Sequence, residues 1–207
     1  MVRLSSTLLL FAPFGAAVAD LETPSNSAAI LGNRDVTTFF AAMSALQNAA
    51  NVFKQDFCCS GTTANVTALQ IIAGHIKACS DAFDAALIEL ASINPTSLST
   101  PPLSASNAAT LNSTFVPSIQ TAILNNLNTL QAGKAFFEFV NNNRLLLVMY
   151  CHWVGVLAVE NKSFLRQLVV SAPSSDYSSS WASLLNSATS AYTIWLTEDG
   201  FNCGGLF

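Results

Sequence analysis

Apolar residues recur at alternating intervals of three and four along most of this chain, and that spacing leaves one class of fold open. Val36, Phe39, Met43, Leu46, Ala50, Phe53 and Phe57 form the clearest run. An α-helix turns once every 3.6 residues, so these positions share one face and need a common core. Asp35, just ahead of them, suits a helix N-cap. A second run holds Leu69, Ile72, Ile76, Cys79, Phe83, Leu87 and Leu90. A third begins near Asn107, carries Leu111, Phe115, Ile119, Ile123, Leu127 and Leu130, and continues to about Val140. The fourth takes the apolar segment Leu145–Val159 and goes on through Phe164, Leu165, Leu168 and Val169 to Pro173. The fifth carries Trp181, Leu184, Leu185, Ala188, Tyr192 and Trp195. No stretch sustains the strict alternation of a half-buried strand. The expected fold is all-α, an antiparallel bundle of about five amphipathic helices.

The breaks between runs have turn chemistry. Cys58-Cys59-Ser60-Gly61-Thr62 ends the first, Ser92–Ser106 contains Pro95, Pro101 and Pro102, and Asn141-Asn142-Asn143 precedes the fourth. Pro117 falls inside the third run. It lacks an amide donor, so it either starts the main helix or kinks it.

Residues 1–19 read as a secretory signal peptide. Arg3 precedes a short apolar core, and Ala17-Val18-Ala19 supplies the small residues of a cleavage site. Residues 20–33 are then a flexible leader, 34–197 the bundle domain and 198–207 a C-terminal tail. The apolar part of the fourth run is too short for the ~20 residues that cross a bilayer, so no transmembrane anchor is expected. The expected location is extracellular.

The 207 residues include 8 basic and 12 acidic side chains, a net charge of −4, and only 10% are charged. That mildly acidic balance, with no cluster of Lys and Arg, disfavours nucleic acid and anionic membranes as partners. Asn65, Asn112 and Asn161 head N-x-S/T sequons and are candidate glycosylation sites. Cys58, Cys59, Cys79, Cys151 and Cys203 are candidates for disulfides in an oxidising compartment, with one left over. An up-and-down bundle puts the end of the first helix, the start of the fourth and the tail at one end. That favours Cys203 with Cys58 or Cys59, and Cys79 with Cys151 or the remaining vicinal cysteine. His75 and His152 lack ligand spacing with the cysteines, so neither a metal nor a cofactor is expected.

Catalytic chemistry finds little support. No G-x-S-x-G elbow occurs. A histidine on an apolar helix is ordinarily a packed residue, and Asp81 and Asp84 share a solvent-facing edge where carboxylates keep ordinary pKa values.

Several of these features resemble the fungal hydrophobic surface-binding protein A family and the related cell-wall galactomannoproteins. They are the signal peptide, the Asp35-Val36 helix start, the Ser/Ala/Asn-rich second helix and the long third helix with Val116-Pro117-Ser118-Ile119. That helix runs into Leu127-Asn128-Thr129-Leu130-Gln131-Ala132-Gly133-Lys134-Ala135-Phe136-Phe137. The resemblance spans roughly Ile30 to Trp195. It implies a secreted or wall-associated helical protein that adsorbs to hydrophobic surfaces or holds a fatty acid between its helices. The five cysteines and the very apolar fourth helix depart from the family pattern.

The functional expectation is therefore a non-catalytic binder of a long-chain fatty acid or similar lipid. Its cavity would be lined by Phe39, Met43, Phe53, Ile76, Phe83, Ile119, Ile123, Tyr150 and Tyr192, because helix bundles build ligand sites between facing helices. His75, Gln131, Lys134, Tyr150 and Tyr192 are candidate head-group anchors by chemistry only. The competing expectation is a surface-active or wall-structural protein with no internal ligand, which should expose a contiguous apolar patch.

Overall fold

A computed structural model describes residues 36–58, 66–93, 103–131 and 140–197 together with Cys203; over 54–58, 66–69 and 126–131 it describes the backbone alone. The expected signal peptide and leader, Asp35, Cys59, Asn65, Lys134 and the expected tail apart from Cys203 lie outside the described residues, as do the side chains of Cys58 and Gln131.

The all-α bundle is what the chain forms. Its helices are α1 (Val36–Cys58), α2 (Val66–Ile93), α3, α4 (Arg144–Val170) and α5 (Ser175–Leu196). The third is continuous in three parts: α-helical over Ala105–Thr110, π-helical over Leu111–Phe115 and α-helical over Val116–Gln131.

Local chemistry sets these limits. Ser104 caps α3, its side chain accepting from the Asn107 amide at 3.1 Å. This start lies two residues before the Asn107 expected from periodicity, because the cap, not the first apolar residue, begins a helix. Asn143 caps α4 in the same way, accepting from the Leu146 amide at 3.3 Å. Pro117 lies inside the continuous α3, just after the π turn, where its missing amide interrupts the regular α-helical bonding. The turn before it widens, and the Val116 amide donates to the Leu111 carbonyl five residues back. Gln47 of α1 closes the gap, donating through Nε2 to the Thr114 carbonyl at 3.1 Å and to Ser118 Oγ at 2.7 Å.

The helices pack in a closed ring: α1 on α2, α2 on α4, α4 on α5, α5 on α3, and α3 back on α1. Consecutive helices reverse direction. Thr38, at the start of α1, donates to Glu89 near the end of α2 at 2.9 Å, and the short link between α4 and α5 forces a hairpin. Helices α2 and α4 consequently run the same way. Lys77 Nζ lies 5.5 Å from the Trp153 ring centre, and further along both helices the rings of Phe83 and Phe164 are 5.8 Å apart.

The buried stripes follow the spacings. Phe39, Met43, Leu46, Ala50 and Phe53 are fully buried along α1. On α2 the core position falls on Ala86, and Leu87 lies half-buried beside it. Each fully buried large apolar side chain contributes roughly 1.5–3 kcal/mol, and one continuous core collects these contributions from all five helices.

Candidate functional site

Phe39, Met43 and Phe53 on α1, Ile76 and Phe83 on α2, Ile119 and Ile123 on α3, Tyr150 on α4 and Tyr192 on α5 all reach the same core. Phe40 and Phe115 extend the aromatic wall between α1 and α3, with ring centres 5.9 Å apart.

Inside that apolar interior lies a polar cluster. Gln120 of α3, Asn161 of α4 and Tyr192 of α5 are each at most 1% exposed. Gln120 Nε2 donates to Asn161 Oδ1 at 2.8 Å, and Asn161 Nδ2 donates back to Gln120 Oε1 at 3.2 Å. Asn161 Nδ2 also donates to the Tyr192 hydroxyl at 3.2 Å. A buried amide needs such partners, and here the reciprocal pair supplies them. The surroundings disfavour charge. Burial pushes the Tyr192 phenol well above its ordinary range; the Asn161 bond opposes this, and the nearby Cys79 thiol adds to it. Burial likewise pushes the Tyr150 phenol up and the Cys79 thiol up to about 12. No charged side chain is buried among the described residues. This cluster is therefore a set of neutral hydrogen-bonding groups.

Asn161 must be corrected as a glycan acceptor. Its side chain is fully buried and its amide nitrogen is engaged twice, so no sugar can be attached on the folded bundle. Helical phase carried the signal, since Val154, Leu157, Asn161, Phe164 and Leu168 fall on one buried face. Asn112 lies half-buried in the π turn, with Ser113 and Thr114 exposed.

The cysteine pairing also differs from expectation. Cys203 bonds Cys151, with Cα atoms 5.7 Å apart, and Cys79 is a buried free thiol. The tail does return to the starting end of α4, but α5 packs beside α4 and α3, so Cys203 meets the cysteine that α4 offers. Cys79 faces the interior near Tyr192 instead.

The remaining candidates lie apart from the cluster. Asp81 is exposed and ion-paired with Lys77 one turn earlier. His152 is exposed, its ring 4.6 Å from that of Trp153. Among the described residues no group of His, Cys, Asp and Glu could hold a metal, and no helix is long and apolar enough to cross a membrane.

The outer surface carries a second feature. Leu145, Val148, Val159 and Val170 of α4 are exposed, Leu145 to 83% and Val170 to 70%. Their spacing places them on one face, with His152 between Val148 and Val159. The other exposed large apolar side chains among the described residues, Val52, Ile71, Ile88 and Ile194, are scattered over α1, α2 and α5.

No known family, curated protein or solved structure matches the chain.

Proposed function

We propose that this chain is a non-catalytic extracellular protein that adsorbs to hydrophobic surfaces through the outer face of α4. The carrying observation is the line of Leu145, Val148, Val159 and Val170, which turns large apolar side chains to water along a helix whose opposite face is already buried. Such an aligned patch marks an interaction surface more often than isolated apolar residues do. The resemblance to hydrophobic surface-binding protein A points the same way.

Adsorption to alkyl-coated beads tests the reading. Leu145→Glu should fold normally, because the side chain packs on little, and should weaken adsorption by about tenfold or more, the equivalent of about 1.5–3 kcal/mol for one large apolar side chain. Equal adsorption by the variant would refute the assignment of the face.

A second reading is favoured by Gln120, Asn161 and Tyr192. If the core opens to take a lipid between helices, these neutral groups suit an uncharged or protonated head group better than a carboxylate anion, which would find no buried cation there. Native mass spectrometry of protein from culture, followed by lipid extraction, tests this carrier function. Co-purifying lipid lost in Tyr192→Phe would support it.

A further inference from the structure

The outer face of α4 is bordered by charge of one sign. Arg144 and Lys162 are eighteen residues apart, five helical turns, and Arg166 follows one turn later, so the three lie along one edge of the apolar line. Arg144 and Arg166 are exposed and Lys162 is half-buried. Among the described residues none of the three has an ion-pair partner. The only acidic residue of α4, Glu160, lies on the opposite edge, where burial and the Asp84 charge on α2 hold its carboxyl above the usual range. A chain with 8 basic and 12 acidic residues thus sets three of its basic side chains beside the exposed apolar line of α4.

We infer that this face docks on a lipid bilayer with negatively charged head groups, Leu145, Val148, Val159 and Val170 entering the acyl boundary while Arg144, Lys162 and Arg166 meet the head groups. The inference rests on α4 being the adsorbing surface and adds a charge preference to it. Helices that lie in a membrane interface combine these two elements, an apolar line and basic residues beside it. The overall negative charge does not prevent docking, because at physiological salt the Debye length is about 8 Å and the charges next to the surface dominate. The sequence expectation against anionic membranes rested on the mildly acidic balance and the absence of a Lys/Arg cluster, and the inference departs from it. The helix sets Arg144, Lys162 and Arg166 along one edge instead, with Arg144 about 27 Å from Lys162.

The test compares sedimentation with phosphatidylcholine vesicles, with vesicles that also contain phosphatidylserine, and with alkyl-coated beads. The wild-type chain should prefer the anionic vesicles, and added salt should erode the preference. A basic residue near such a surface is worth about fivefold in partitioning. The triple variant Arg144→Gln, Lys162→Gln, Arg166→Gln should therefore lose most of about a hundredfold while keeping its circular dichroism and its adsorption to beads. Equal binding to both vesicle types, or an unchanged preference in the triple variant, overturns the inference and leaves adsorption standing. No adsorption to beads by the wild-type chain overturns the adsorption reading instead. A dimer in solution that Leu145→Glu dissociates assigns the face to a second copy and also overturns the inference.

Discussion

Asn161 Nδ2 lies 3.2 Å from the Tyr192 hydroxyl, and the bond ties the middle of α4 to the last turns of α5. The same amide exchanges two bonds with Gln120, so one residue joins three helices inside an apolar interior. Losing a partner there is costly, because the groups left behind have no water to turn to.

The cluster should therefore respond unequally to its parts. Tyr192→Phe removes one acceptor and leaves the amide pair intact, so it should cost about 1 kcal/mol. Asn161→Ala strands both Gln120 and Tyr192 and opens a void, and should cost about 3 kcal/mol. Urea unfolding followed by circular dichroism measures both; equal costs would show that Asn161 is not the hub.

Glycan mapping of secreted protein should find Asn161 unmodified despite its sequon, since the nitrogen that would carry the sugar is buried and donates to two side chains. Asn112, with its exposed Ser113 and Thr114, is the described acceptor that can be reached. A glycan on Asn161 in folded material would contradict the packing of α4.

The Cys151–Cys203 bridge closes a separation of 52 residues. Constraint of the unfolded chain by a loop of that size corresponds to about 4 kcal/mol at most, with native strain subtracting from it. Cys203→Ala should lower the melting temperature. Reductant should bring the wild-type chain down to the variant and leave the variant unchanged. A melting temperature insensitive to reductant would argue against the bridge.

Alkaline pH should destabilise the bundle through Cys79. Burial raises this thiol from 9.0 to about 12. A folded-state pKa above the unfolded one means that the stabilisation is complete below pH 9. It is lost as pH rises from there toward 12, because only the unfolded chain releases the proton. The slope from one such group is up to about 1.4 kcal/mol per pH unit. Burial shifts Tyr150 and Tyr192 in the same direction, so their loss begins higher. Cys79→Ala should flatten the first part of the decline in urea unfolding measured across this range; an unchanged profile would exclude the thiol as its source.

The helices were legible because their determinants are local. A period of 3.6 in Val36 to Phe57 needs no knowledge of what packs against it, whereas Pro117 left a helix start and a kink equally open. The Ser104 cap was less visible, because many serines precede apolar runs and only backbone geometry distinguishes the one that caps.

Contacts between helices were not legible, since they depend on which neighbours the ring order provides. An Asn-x-Ser sequon reads identically on either face of a helix, and the packing of α4 against α2 and α5 turned Asn161 inward to Gln120 and Tyr192. Five cysteines allow many pairings, and the tail beyond α5 reached the helix beside it, α4, rather than α1. The helical character of the described residues could be read from the chain alone, because hydrophobic period acts within a few residues. Which polar groups are shut inside the core, and which apolar and basic side chains of α4 face water, followed from the packing of helices, because burial is a property of a residue's neighbours in space.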